Sequence, residues 1–514
     1  MLATILAVTL PILISGRPVW DRIRVDGETF VFRDGSNRTR LFHGTNFVTK
    51  SGDFLPKVSE ATIEDLKLIG ANVVRLGVMM PGVFPTPDAK PNSTYLSEVE
   101  RIIDLLWNAG IASVIDLHQD VLSPIICGEG TPQWMLNAST LNSLPFPEPV
   151  RFSNTSKPDP HTGSWAPKQD CEESGPLKSI GWSMFYATDA CGKAFQQMYD
   201  GVGVLGKMVV QHWRTVASQL QGKAGILAYE MLNEPWVGDH ISHPELLTRA
   251  GKAEGAALGS FMQKIHQVIR EVDAETPILF APAEVNNRLM RRVGYENGFL
   301  PHEPMAFHVY CMTGTDGDGP TTWLSKSFCH LNDGFQLSQR RSDIRRLRTA
   351  GIVTEFGAVS DTPTGLAEVR FVAEHLDGDG SSEGDKMPLS WIYWDKVPPA
   401  TDYRRELARS YPRAVAGDVA SLKFDATNGD FTLKFWPSLR QQVNIGENVT
   451  CASTPCTEIF LSKDLHYENG FSVTTEPDGC CNVEETPGVG INVLVLDHQM
   501  KEPAELVTVS VKRR

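Results

Sequence analysis

From Leu41 to Lys396 the chain alternates short, nearly unbroken apolar runs with longer stretches whose apolar residues recur at helical spacing. An unbroken apolar run of strand length is buried on both faces, and a strand followed by a helix, repeated, is the pattern of a parallel sheet wrapped in helices. Eight such runs are present: LFHGTNF near 41, ANVVRLGV near 71, IASVIDLHQD near 111, GILAYEMLNEP near 225, PILFAPAE near 277, MAFHVYC near 305, GIVTEFGA near 351 and LSWIYWDK near 389. Eight strand and helix units predict an α/β chain folded as a (β/α)8 barrel over residues 17–400, with an opening hairpin in Trp20 to Phe32.

From about Thr401 the period changes to two. SLKFDATNGDFTLKF reads as a hairpin, with Leu422 and Phe424 on one arm and Phe431, Leu433 and Phe435 on the other, around Asn428 and Gly429. Short strands at EIFLS, FSVTT, INVLVL and ELVTVSV complete an antiparallel β-sandwich over 401–514, which carries no catalytic cluster and reads first as a packing partner for the barrel. Between the third and fourth strands lies an insertion, 121–200, holding Trp134, Phe146, Phe152, Trp165, Trp182, Phe185 and Tyr186. Two readings stay open for it: a substrate wall or lid over the barrel mouth, or a self-packed surface subdomain stapled by Cys127, Cys171 and Cys191.

Each apolar run ends in polar or aromatic residues: Asn46 and Lys50, Arg75, His118 and Asp120, Asn233 and Glu234, Glu284, His308 and Tyr310, Glu355, Trp394 and Asp395. Barrel active sites lie at the C-terminal ends of the strands, so the set reads as one pocket. Within it Glu234 and Glu355 are a carboxylate pair on two different strands. Cleaving a glycosidic bond needs a proton for the leaving oxygen and a negative group facing an oxocarbenium-like carbon, and two carboxyls in different environments supply both. Pro235 stops strand pairing after Glu234, and Asn233 places an amide beside it.

A formal charge of −14 argues against nucleic acid as a partner, since phosphate binding needs clustered Lys and Arg. The apolar stretch Leu2 to Ile14 ends in Ser15 and Gly16, is too short to span a bilayer and reads as a secretory signal over 1–16. Nine cysteines with no zinc-type pairing of CxxC motifs, together with sequons at Asn37, Asn92, Asn137, Asn154 and Asn448, fit an exported protein carrying disulfides and glycans. The destination expected is extracellular, digestive or lysosomal. No metal or cofactor is expected.

The motifs NVVRLGVMMPGVFP, VIDLHQD, MLNEPW, HVYC, VTEFGA and WIYWDK, in this order, resemble those of the endoglycoceramidases of glycoside hydrolase family 5, enzymes that cut between oligosaccharide and ceramide. The resemblance covers nearly the whole chain. It implies that Glu234 is the general acid and base and Glu355 the nucleophile of a retaining double displacement, with carboxyl groups about 5 Å apart. It further implies that Arg75 holds Glu355, that His118, Asn233, His308 and Tyr310 contact the first sugar or the nucleophile, and that Lys50, Asp120 and Trp394 grip the sugar next to ceramide. A glycosphingolipid is half apolar, so Met79, Met80, Val83 and Phe84 are expected to begin an oily groove, unless they pack beneath their loop. The expected protein is a monomer with transient contact to a membrane surface or micelle. Competing readings are a family 5 endo-β-glucanase acting on soluble polysaccharide and a glycolipid-binding protein without turnover.

Overall fold

The computed structural model describes residues 23–136, 182–311, 323–378, 386–438, 456–485, 493–498 and 505–514. Eight parallel strands form its centre: β1 (His43–Phe47), β2 (Val73–Gly77), β3 (Ala112–Asp116), β4 (Ile226–Glu230), β5 (Ile278–Leu279), β6 (Met305–Val309), β7 (Gly351–Phe356) and β8 (Ser390–Tyr393). Each falls inside one of the eight apolar runs. They pair in the order β5-β4-β3-β2-β1-β8-β7-β6, and a bridge between Phe280 and Met305 joins the two ends, with the Ala306 N–H donating to the Phe280 carbonyl at 2.9 Å. Closure pairs the edges that an open sheet would expose.

The surrounding helices bury one stripe each. Helix α1 (Ser93–Asn108) turns Leu96, Val99, Ile103 and Leu106 inward at spacings of three and four, and Asn92 caps it by accepting from the Tyr95 N–H. Helices α2 (Gly203–Leu220), α3 (Gly259–Arg270), α4 (Trp323–Leu347) and α5 (Pro363–Leu376) continue the ring. Met79, Met80, Val83 and Phe84 belong to the core between strands and helices, and all four are fully buried. Of the two expectations, core packing holds for these four, because the short helix Met80–Val83 lies against α1 and the Tyr95 hydroxyl accepts from the Met79 N–H at 2.9 Å.

The opening hairpin does two jobs. Ile23, Val25 and Phe32 cluster with Phe42, Val73, Val114 and Ile352, plugging the floor of the barrel. Its polar backbone extends a seven-stranded antiparallel sheet of the C-terminal unit, where Thr39–Arg40 pairs with Tyr411–Val415. A second, four-stranded sheet contains the expected hairpin, with Leu422 opposite Leu433 and Phe424 opposite Phe431. Thr401–Leu407 is helical, so the period of two starts at Tyr411. Buried ion pairs from Arg38 to Asp34 (2.9 Å) and to Glu458 (2.6 Å) lock the hairpin to the C-terminal sheet.

Of the insertion, Val121–Leu136 and Trp182–Asp200 are described. Phe185 and Tyr186 are buried, and the Tyr186 ring packs 5.3 Å from Trp236 beside the candidate site. Cys127 is disulfide-bonded, whereas Cys191 is a buried free thiol inside the helix Asp189–Tyr199 and staples nothing. A disulfide that sequence did not announce joins Cys311, just past β6, to Cys329 on α4. The leader 1–16, Phe146, Phe152, Trp165, Cys171 and the sequons Asn137, Asn154 and Asn448 lie outside the described residues.

Candidate active site

β4 ends at Glu230, and four residues later Glu234 turns with φ 37°. That left-handed conformation costs a non-glycine residue roughly 1–3 kcal/mol and persists only where surroundings hold it. Gln119, past β3, does the holding: its Nε2 donates to the carbonyls of Asn233 (2.7 Å) and Glu234 (3.1 Å). The Asn233 amide returns a bond to the Gln119 carbonyl at 2.9 Å. Glu355 sits within β7, where the register against β6 shifts between Val353 and Glu355, a bulge that re-aims the side chain.

A carboxylate oxygen of Glu234, one of Glu355 and a ring nitrogen of His308 all lie within 4.8 Å of one another. His308 Nδ1 is 2.9 Å from Glu234 Oε1 and 3.5 Å from Glu355 Oε2. Burial pulls the imidazole down, but the charges of Glu355 and Glu234 raise it to about 9, so it carries a proton between two carboxylates. Tyr310 donates its hydroxyl to Glu355 Oε2 at 2.8 Å, and burial together with Glu355 keeps that phenol protonated.

Arg75 is the buried hub. Its guanidinium donates to Glu355 Oε1 (2.6 Å), to Glu230 (2.7 and 3.1 Å), to Asn233 Oδ1 (2.7 Å) and to Asn46 Oδ1 (3.1 Å), and lies 3.2 Å from Asp116. One fork thus fixes the nucleophile candidate and the amide beside the acid candidate. Burial opposes its charge, and the surrounding carboxylates more than restore it.

Glu234 has its own cation. Arg288 Nη2 approaches Glu234 Oε1 at 3.5 Å while its Nε donates to Glu284 Oε1 at 2.7 Å, both from the short helix Glu284–Arg288 after β5. Burial alone would raise Glu234, but the bond from His308 and the charge of Arg288 hold it below its ordinary value. Glu284 is pushed up to about 7 by burial and by the Glu234 charge. Glu234, His308 and Glu355 have donor atoms close enough for a cation, yet each carboxylate already faces a guanidinium, which balances its charge within the protein.

A second cluster stands beside the pair. Lys50 bonds Asp120 and reaches Glu129 at 3.3 Å, and its ammonium lies 4.9 Å from the centre of the half-buried Trp394 ring. His118 bridges Asp116 (2.8 Å) and Asp120 (3.3 Å) and stacks on Trp394 at 5.4 Å. Burial opposes both charges, but the neighbouring carboxylates lift His118 to about 9, and Lys50 with His118 holds Asp120 below the carboxylate range. An aromatic face ringed by fixed charges suits a sugar ring and its hydroxyls. A cavity of about 740 Å3 lined by Phe47, Val48, Leu55, Pro56, Lys57 and Lys396 adjoins this cluster at the β1 and β8 rim.

All ten site residues read from sequence therefore converge on one end of the barrel. Sequence reading left out Gln119 and Asp116, although both stand in the DLHQD run, and Glu230 and Arg288; Tyr186 entered it only as one of the insertion aromatics. Glu230 was legible as the last charged residue of an otherwise apolar strand; Arg288 had no local signal.

Residues 36–397 match the model described as cellulase (glycosyl hydrolase family 5), and 409–511 match that of the glycoside hydrolase family 5 C-terminal domain. The chain is 29% identical to the endoglycoceramidase of Cyanea nozakii over 498 residues, covering 91% of this chain and 90% of that protein. It is 29% identical to the endoglycoceramidase of Hydra vulgaris over 526 residues, covering 96% and 90%. Endo-glycoceramidase II from Rhodococcus sp., solved with ganglioside GM3, superposes with a TM-score of 0.70 at 20% identity, over 94% of this chain and 99% of that one, which establishes the shared fold.

Proposed function

This chain belongs to glycosyl hydrolase family 5, and from that membership we propose that it is a retaining endo-β-glycosidase that cleaves between oligosaccharide and ceramide in glycosphingolipids. The observation that carries the reading is the approach of Glu234 and Glu355 to within 4.8 Å. Carboxyl groups this near suit attack by one on the anomeric carbon while the other protonates the leaving oxygen; an inverting pair stands farther apart to admit water.

Glu355, oriented by Arg75 and Tyr310, attacks. Glu234 delivers a proton to the ceramide oxygen, and His308, protonated and one hydrogen bond away, is the near source of that proton. Once Glu355 is esterified by sugar, Glu234 as carboxylate deprotonates the water that hydrolyses the intermediate. Lys50, His118, Asp120 and Trp394 hold the glycan.

The substrate class rests on the full-length similarity to two animal endoglycoceramidases. Extracellular or lysosomal residence is part of the reading, supported by the Cys311–Cys329 disulfide. Incubation with a ganglioside and, separately, with soluble β-glucan is the test: free ceramide and an intact oligosaccharide of unchanged anomeric configuration are expected. Glucan oligomers without ceramide would move the protein to the endo-β-glucanases, whose reading the cellulase description of the matching model favours. Binding of the glycolipid without turnover would leave a lectin-like protein.

A further inference from the structure

We propose that the N-terminal half of α4 is a lipid-surface docking face, set beside the active site to hold the enzyme on the bilayer that presents its substrate. The proposal rests on the glycolipid reading above. Leu324, Phe328, Leu331 and Phe335 are 84%, 51%, 59% and 56% exposed, and their spacings of four, three and four put them on one side of the helix. They are the most exposed large apolar side chains of any described helix. The opposite side packs inward through Cys329, Asn332, Gln336 and Leu337, all buried.

An exposed apolar stripe calls for a partner, and two observations choose a lipid surface. First, the stripe is continuous with the site. Gln336 Nε2 donates to the Tyr310 carbonyl at 2.9 Å, Cys329 is bonded to Cys311, and the Tyr310 hydroxyl holds Glu355, so the stripe occupies the outer side of the same helical turns that brace a site residue. Second, the face carries no carboxylate. In a chain of formal charge −14, the exposed residues from Leu324 to Phe335 are the four apolar ones and Ser327; the single acid of the segment, Asp333, is buried inward. A surface that must enter lipid headgroups excludes acids, whereas solubility alone would favour them. Phe and Leu side chains at the headgroup boundary would bring the barrel mouth down to the height of a glycan root.

The test uses the full-length protein and the variants Phe328→Ser/Phe335→Ser and Leu324→Ser/Leu331→Ser. Sedimentation with phosphatidylcholine vesicles, with and without ganglioside, reads binding. Hydrolysis is compared between ganglioside in those vesicles and a soluble aryl lactoside. Each double variant is expected to lose about tenfold or more in vesicle binding and in vesicle-borne turnover, with aryl lactoside kinetics unchanged. Unchanged vesicle binding in both variants would overturn the docking face. So would a wild-type dimer in solution that both variants dissolve, which would make the face a protein interface. Absence of hydrolysis on either substrate by the wild type would instead sink the glycosidase reading, while vesicle binding lost in the variants would still uphold the docking face.

Discussion

Gln119 clamps Glu234: one side-chain amide donates to the carbonyl of that residue and to the carbonyl before it, and so fixes a backbone whose φ is positive. The candidate acid is thus aimed by a residue 115 positions earlier, just past the preceding strand, and the amide touches neither its carboxylate nor the nucleophile. Replacing Gln119 by Ala should free the turn. We expect kcat to fall by about 10- to 100-fold with a smaller change in KM, and stability to drop by about 1–3 kcal/mol for the buried carbonyls left without donors. Steady-state kinetics with urea unfolding would check both; wild-type kcat would remove Gln119 from the positioning of Glu234.

Glu234→Gln should slow a natural glycolipid by about a hundred- to ten-thousand-fold, the usual worth of a general acid. A dinitrophenyl glycoside leaves without a proton, so it should still give a burst of phenolate and then stall at the ester on Glu355. Glu355→Gln should give no burst on either substrate. Rapid-mixing absorbance reads the difference.

Glu284 and Arg288 should set the alkaline limb of the pH profile. A negative Glu284 disfavours a second negative charge on Glu234, and it also shares the cation that otherwise settles on Glu234. Groups facing the pair are His308 on β6 and Tyr310 just beyond it, Glu355 on β7, Asp120 beyond β3 and Tyr186. The proton lost at alkaline pH is the one His308 shares with Glu234, held up to about 9 by the surrounding carboxylates; Glu284→Gln removes a negative charge that faces this imidazole, so the proton leaves at lower pH and the alkaline limb of kcat/KM should move down by roughly half to one unit. Arg288→Gln should move it up. Shifts of the same sign in both variants would break the argument.

Removing Arg75 leaves Glu230, Asp116 and Glu355 facing one another in a dry interior. Arg75→Met should cost about 3–5 kcal/mol of stability, and Arg75→Lys should also be damaging, because a point charge cannot bridge Glu230 and Glu355 at once. Thermal unfolding monitored by circular dichroism would show the loss.

Acid should loosen the hairpin from the C-terminal sheet. Burial would raise Glu458, but Arg38 and Arg40 lower it from 4.5 to about 2 in the folded protein. A depressed carboxyl stabilises the fold above its unfolded value, and that contribution fades as pH falls from 4.5 toward 2. The gap in unfolding free energy between wild type and Glu458→Gln, up to about 3 kcal/mol at pH 7, should therefore narrow over that window. A gap independent of pH would show that the carboxylate charge contributes nothing there.

The barrel and its two central carboxylates were legible in the amino-acid order, because a strand buried on both faces must be written as an apolar run and the residue that ends it must face the mouth. GIVTEFGA and ILAYEMLNEPW each carry that information locally. What the chain order does not carry is pairing across it. Arg75 was expected to hold Glu355, but that it equally holds Glu230 and Asn233, that Gln119 holds the turn at Glu234, and that Arg288 stands between Glu284 and Glu234 depend on which strands become neighbours when the sheet closes. The same holds for the Met79 to Phe84 stretch: an apolar segment after a strand has one sequence whether it lines a groove or fills a core, and packing against α1 decided for the core. Sequence settled which residues had to be inside and at which end of the strands chemistry could gather. Closure of the barrel settled which charges meet there, since Coulomb and hydrogen-bond partners are chosen by distance in space and a linear order leaves that distance open.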